Sequence, residues 1–170
     1  MITEATIADI PALCELLAEL FAQESDFQPN RTKQGAGLRL ILENPPYGKI
    51  FVTRRTGAVV GMVNLLHTLS LHNGGRALVI EDMIVRRDSR GRGIATALLS
   101  HAIEYARSIR AVQITLFTDT TNLRAIKLYQ KMGFACSAAS PMRQSLRKLS
   151  VPKLVGSAAH ITGGYFCAFN

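Results

Sequence analysis

The stretch Glu81-Asp82-Met83-Ile84-Val85-Arg86-Arg87-Asp88-Ser89-Arg90-Gly91-Arg92-Gly93-Ile94-Ala95 decides how this chain is read. Its first part belongs to an apolar run over residues 77–85 that reads as a strand. Its last part opens a segment in which Ile94, Leu98, Leu99, Ala102, Ile103 and Ala106 mark one face of a helix over 93–109. Between the two, Arg90-Gly91-Arg92-Gly93 occupies a strand-to-helix turn. The first N–H groups of a helix have no intrahelical acceptor and carry the positive end of its dipole. Glycines let backbone approach an anion closely, and Arg90 and Arg92 add positive charge, so a pyrophosphate fits this turn.

Two other phosphate-binding patterns do not apply. A dinucleotide fingerprint needs a third glycine where Thr96 stands, and it opens a parallel sheet. A P-loop needs Gly-Lys followed by Ser or Thr, which is absent. A glycine-containing turn with solvated arginines stays open as the structural alternative.

Upstream of the loop, residues 49–54 read as a strand, Thr56-Gly57 as a turn, and Ala58 to about Leu71 as a long second strand. His72-Asn73-Gly74-Gly75 is a hairpin signal, because Asn-Gly accepts positive φ. With 77–85 these make an antiparallel meander. Before it, residues 2–6 form a short strand. A helix then starts with Asp9 as N-cap and Pro11 in its first turn, carries Ile10, Leu13, Leu17, Leu20 and Phe21 at helical spacing, and is ended by Pro29. A second helix over 31–43 turns Leu38, Ile41 and Leu42 inward and stops at Asn44-Pro45-Pro46. After the loop helix come a strand at 112–118, a helix at about 123–132 closed by Gly133, and a last strand from Phe134. The strand-helix-strand unit must cross over, which makes its strands parallel. The fold class is therefore α/β with a mixed sheet, helices on both faces, an antiparallel meander and then a parallel β-α-β unit. Residues 1–149 read as one domain and 150–170 as an extension of unknown role.

The bulk composition narrows the function. At 170 residues and 48% apolar composition the chain suits one core. The net charge of +8 favours an anionic partner without choosing among nucleic acid, membrane and phosphorylated cofactor. Cys14, Cys136 and Cys167 form no CxxC pair, and His67, His72, His101 and His160 match no metal-ligand spacing, so no metal is expected. Glu4, Asp9 and Glu15 interrupt the N-terminus, which argues against a signal peptide, and no run approaches the ~18 apolar residues of a membrane span. A cytoplasmic, reducing location is expected.

Met83-Ile84-Val85, four residues, Arg90-Gly91-Arg92-Gly93-Ile94-Ala95 and then an apolar helix resemble the GNAT superfamily of N-acetyltransferases. Arg90, Gly93 and Ala95 match its loop pattern; Asn122, Ala125, Leu128-Tyr129 and Gly133-Phe134 resemble the second half of the family pattern. The strong match spans about residues 80–135. The resemblance implies acetyl-CoA as co-substrate, with the backbone of 90–95 on its pyrophosphate. It also implies a bulge in the strand of Met83, Ile84 and Val85, which splays from the strand at 112–118 and bonds the pantetheine arm. A backbone N–H in that stretch would stabilise the oxyanion. Asn122 is open to two readings, a cofactor contact or a helix cap; Ala125 shares its helical face with Tyr129.

Acetyl transfer to an amine needs a base, and Glu81 and Asp82 lie just before the loop. Strand alternation puts them on opposite faces, so one of them serves; by resemblance Glu81 is favoured as base and Tyr129 as general acid. The alternatives are an arginine pair or turn cap for the acid, and a core position for the tyrosine. The expected acceptor is a small-molecule primary amine, attacked directly in a ternary complex, with a protein amine second. Glu24-Ser25-Asp26 lies where family members build the acceptor pocket. Ser140-Pro141-Met142-Arg143 resembles the closing segment of some bacterial members. Residues 150–170 are open to a lid or an oligomer contact such as a homodimer, with Arg143, Arg147, Lys148 and Lys153 concentrating charge nearby. The rival class is a non-catalytic acyl-CoA-binding or nucleic-acid-binding regulatory module. The run Arg86-Arg87, Arg90, Arg92 could touch a phosphate backbone, but no aromatics interleave with the basic residues, so nucleic acid is the weaker partner.

Overall fold

In the computed structural model, residues 1–22, 29–138 and 141–142 are described. Strand β1 (Ile2–Glu4) leads through a 3-10 turn (Ile7–Asp9) into helix α1 (Ile10–Phe21), followed by helix α2 (Arg31–Glu43). The meander is β2 (Gly48–Arg55), β3 (Ala58–Ser70) and β4 (Gly75–Val85). A second 3-10 turn (Arg87–Ser89), helix α3 (Ile94–Ser108), strand β5 (Gln113–Leu116) and helix α4 (Leu123–Lys131) complete it. The sheet order is β1-β2-β3-β4-β5, antiparallel through β4 and parallel between β4 and β5. Residues Met1–Gly133 form one compact unit.

The two faces of the sheet carry different helices because β3 is apolar on both. Val59, Val60, Met62, Val63 and Leu65 are all buried, so this strand shows none of the alternation of a half-exposed one. On one face Ile50, Val52, Met62 and Ile84 pack with Leu13, Leu16 and Leu17 of α1 and Leu38 of α2. On the other, the Phe51 ring meets His101 and Tyr105 of α3 edge-on, with centroids 4.5 and 5.3 Å apart. Gly61 sits under the start of α3; a Cβ there would lie 3.2 Å from Leu98 Cδ1 and 3.1 Å from the Ile84 carbonyl. That close seat fixes where the first turn of α3 rests. The turn Thr56-Gly57 has both residues at positive φ, 46° and 82°, which matches the twist of a two-residue hairpin.

Four expectations are corrected. Asp9 does not cap α1: its carboxylate turns back to accept from Thr6 N at 2.8 Å, because the 3-10 turn comes first and Asp9 already has helical φ and ψ. Helix α1 ends at Phe21, well before Pro29. β5 is shorter than 112–118 because β4 offers it a ladder only from Ala77 to Ile80. Residues 134–138 carry no strand, lacking a ladder neighbour among the described residues. By contrast α2 has the expected bounds, and the Asn30 side chain caps it by accepting from Lys33 N at 3.0 Å.

Asp9 also accepts from Arg54 Nη2 at 2.8 Å, tying α1 to the end of β2. This bond, with those from Thr6, outweighs burial and holds the Asp9 carboxyl below the usual carboxylate range. A depressed folded value means that the stabilisation is full above the unfolded pKa of ~3.9 and is lost as pH falls through the lower folded value. Asp9→Asn is therefore expected to lower the urea midpoint at pH 7, and the gap from the wild type should narrow as pH falls below ~4. Parallel unfolding curves across that range check it.

Candidate active site

β4 pairs with β5 only from Ala77 to Ile80, whose partner is Leu116, the last residue of β5. Its pairing with β3 runs on to Val85 opposite Gly61. Along Glu81–Val85, therefore, β4 has no neighbour on the β5 side among the described residues. Backbone N–H and C=O groups on that edge face a gap rather than a ladder, which makes a template for an extended chain.

The gap opens at a bulge. Leu65 lies opposite Ile80 and the next residue of β3, Asn64, lies opposite Asp82, so Glu81 is the extra residue. This corrects the argument from alternation. Ile80 shares the α3 face with Leu65, whereas Asp82 shares the α1/α2 face with Asn64, so residues two apart in the strand point to opposite sides. The expectation that Glu81 and Asp82 sit on opposite faces by simple alternation does not hold across the insertion. Glu81 is exposed and Asp82 half-buried, with Asn64 Nδ2 donating to Asp82 Oδ2 at 3.3 Å.

Beyond Val85 the chain makes the turn Arg87–Ser89, pinned by Asp88, which accepts from Arg86 Nε and Ser89 Oγ, both at 2.8 Å. Gly91 and Gly93 then take φ of +77° and +76°, a region costly for other residues. The first amide of α3 with a backbone acceptor is that of Ala97, bonded to the Gly93 carbonyl at 2.9 Å. The amides of Ile94, Ala95 and Thr96 have none among the described residues, as expected at a helix start. Arg90 works inside the protein: Nε donates to the Val85 carbonyl and Nη2 to Glu19 Oε1 of α1, each at 2.8 Å, and its amide bonds the Arg87 carbonyl. Arg92 is exposed.

Across the gap the chain enters α4. Asp119 Oδ1 accepts from Thr121 N and Oγ1 at 2.7 Å, setting the turn, and Asn122 Oδ1 caps the helix from Ala125 N at 3.2 Å. Of the two readings of Asn122, the structure shows the cap. Tyr129, one turn after Ala125, is half-buried, and burial raises its hydroxyl above the ordinary range, so it holds its proton at neutral pH. His67 is held by Tyr105 and the Pro46 carbonyl; Cys14 is buried, its thiol pushed up by burial. Among the described residues no cluster of three His, Cys, Asp or Glu could hold a metal ion, and no helix is long and apolar enough to cross a membrane. Glu24-Ser25-Asp26, Ser140, Arg143, Arg147, Lys148, Lys153, His160, Cys167 and all of 150–170 lie outside the described residues.

An open strand edge running into the amides of a glycine-bearing helix start is paralleled by the sequence comparison: residues 10–134 match the profile described as the Acetyltransferase (GNAT) family. The chain belongs to the GNAT family. It is 31% identical over 130 residues to an aminoalkylphosphonate N-acetyltransferase of Salmonella typhimurium, covering 76% of this chain and 81% of that one. It is 30% identical over 144 residues to streptothricin acetyltransferase of Streptomyces lavendulae, covering 73% and 76%. The structure of a possible acetyltransferase from Clostridium difficile 630 has the same fold, with a TM-score of 0.77 at 18% identity, covering 86% and 98%. As a GNAT enzyme the chain is an acetyl-CoA-dependent N-acetyltransferase, which decides against the non-catalytic module.

Sequence reasoning did not find Asn64 or the Arg90–Glu19 clamp. A polar residue inside the buried run of β3 was a visible signal for the first; nothing local marks the second, since Glu19 is 71 positions away. The two loop arginines should therefore respond differently to neutralisation. Arg90→Met is expected to lower the melting temperature while leaving the salt dependence of coenzyme A binding nearly unchanged. Arg92→Met is expected to leave stability within about 0.5 kcal/mol and flatten the salt dependence. Thermal melts and calorimetry at two salt concentrations separate them.

Proposed function

We propose that the chain transfers the acetyl group of acetyl-CoA to a small-molecule primary amine by direct attack in a ternary complex. The observation that carries this reading is the parting of β4 from β5 at the Glu81 bulge, continuous with the free amides at the start of α3. The residues fit the co-substrate. Backbone of Arg90, Gly91, Arg92, Gly93, Ile94 and Ala95 would hold the diphosphate, Arg90 by shaping the turn and Arg92 by its charge. The open edge at Met83, Ile84 and Val85 would hold the pantetheine arm. Asn122 and Ala125 would border the same molecule through the first turn of α4.

The chemistry asks for three contributions. An alkylamine with pKa near ~10.4 costs roughly 4.6 kcal/mol to deprotonate at pH 7, and Glu81, directly or through a water, accepts that proton. The amine nitrogen forms its bond to the acetyl carbon while an amide N–H of the β4 edge stabilises the oxyanion, worth about 2.7–4 kcal/mol. The carbon–sulfur bond then breaks and the thiolate takes a proton from Tyr129, whose burial keeps the hydroxyl protonated. The acceptors named for the two relatives, an aminoalkylphosphonate and streptothricin, support a small-molecule amine. A screen of such amines that reads free thiol release from acetyl-CoA tests the function; no release with any amine would overturn it.

Gly93→Asp is expected to abolish coenzyme A binding in a folded protein, since it sets a carboxylate against the diphosphate and a Cβ at positive φ; calorimetry reads it, and unchanged affinity would remove the loop from the site. Glu81→Gln should lower kcat with cofactor affinity kept, and the deficit should shrink as pH rises toward the amine's own pKa. Tyr129→Phe should also lower kcat alone, near the low end of the ~10²–10⁴-fold range of acid catalysis, because a thiolate of pKa ~8.5 leaves fairly well unaided. Steady-state pH profiles of the two variants check both roles.

A further inference from the structure

The sheet runs on past the helix that covers it. On the α3 side of β3 and β4 the successive cross-strand pairs are Leu65–Ile80, His67–Leu78 and Leu69–Arg76. α3 stops at Ser108, and the outermost pair stays open: Leu69 is 72% exposed and Arg76 is exposed. Beside the helix end lies a cleft of about 540 Å³, within the size range of small-ligand sites. Pro46 belongs to one wall, Tyr105 and Ile109 to the other, and Leu69, Arg76 and Leu78 to the floor.

His67 ties these walls to the floor. Its Nδ1 lies 3.1 Å from the Pro46 carbonyl and its Nε2 2.8 Å from the Tyr105 hydroxyl, while its amide donates to the Tyr47 carbonyl at 2.9 Å. The shape is therefore built before any ligand arrives, which lowers the cost of binding one. The charge in the cleft is uncommitted. Burial raises the Tyr105 hydroxyl above its ordinary range, and the Lys49 and Arg76 charges act against that shift, so both cations are felt at this ring. Lys49 is paired with Glu4. The Arg76 side chain has no hydrogen bond or ion pair among the described residues, and none of the residues lining the cleft is acidic.

We propose that this cleft is a second binding site, for a small monocarboxylate with an apolar body. The Arg76 guanidinium presents a planar fork that matches the two carboxylate oxygens, and Leu69, Ile109 and Pro46 cover the apolar part. A phosphate dianion fits less well. The end of α3 at the cleft is the negative end of its dipole, and the amides of Ile109, Arg110, Ala111 and Val112 are all bonded within the protein. The site is separate from the acetyl-transfer centre. Arg76 lies near the start of β4 and Glu81–Val85 end it, roughly 17 Å away along an extended strand. Tyr105 is about 16 Å along α3 from the amide of Ile94. Either site can be lost without the other.

The test titrates the full chain with 2-naphthoate at pH 7, by calorimetry and by ¹⁵N spectra of backbone amides. Saturable binding is expected, with shifts centred on Arg76, Leu78 and Ile109 and none at Gly91–Thr96, and coenzyme A should not displace the probe. The neutral isostere 2-naphthamide should bind about ten- to hundredfold more weakly, and so should naphthoate to Arg76→Met, as expected for a lost charge-assisted hydrogen bond. Leu69→Asp sets a carboxylate beside Arg76 and should abolish binding. Both positions are exposed, so the variants should melt near the wild type. Absence of saturable binding, equal affinity for acid and amide, or equal affinity of wild type and Arg76→Met overturns the site. Shifts at Gly91–Thr96 with displacement by coenzyme A would put the probe on the cofactor turn and overturn it as well. Competition by inorganic phosphate at equal concentration would overturn the choice of a carboxylate.

Discussion

Because β4 carries one extra residue, Glu81, between the partners of Leu65 and Asn64, its last four residues pair with β3 one position out of the register that Gly75–Ile80 keep. The insertion has two consequences that the rest of the site depends on. β4 loses its parallel partner after Ile80, which leaves a run of backbone groups facing a gap. It also reverses which face each later side chain takes, so that Ile84 joins the core under α1 while Asp82 comes into line with Asn64. Sheet pairing is cooperative along a ladder, and an unpaired edge inside a protein persists only where something else complements it. The GNAT family uses acetyl-CoA, which is the occupant proposed for this edge.

The gap has to be held open and aimed. α3 does the aiming by resting on Gly61, where no side chain intervenes between helix and sheet. Arg90 ties the end of β4 to α1 through the Val85 carbonyl and Glu19, so the turn between strand and helix is anchored at both ends. Gly91 and Gly93 are then free to take positive φ, and the first amides of α3 have no backbone acceptor among the described residues. A residue that belongs to the loop pattern thus acts chiefly as a brace, and the loop's exposed charge comes from its neighbour Arg92.

Much of this was legible before any coordinates. The helical spacing of Ile94, Leu98, Leu99, Ala102 and Ala106, the Asn-Gly and Thr-Gly turns, and the Gly133 cap are local signals, and local signals survive in the fold. The bounds that slipped were those set by partners. β5 ends where β4 stops offering a ladder, and Asp9 turned to Thr6 and Arg54 rather than to the helix behind it. Buried charge follows the nearest distant partner, which no window of sequence contains.

By itself the sequence determined the order and type of the elements from β1 to α4, the glycine-bearing strand-to-helix turn and the acetyltransferase family, because periodicity, turn chemistry and a spaced motif are written along the chain. Only the tertiary structure decided which faces Glu81 and Asp82 take, that Asn64 supports Asp82, that Asn122 is a cap, and that Arg90 is held by Glu19. Each of these depends on register or on contacts between remote segments. A single inserted residue shifts every face beyond it, and the period-two pattern of an apolar strand buried on both sides carries no mark of where that insertion falls.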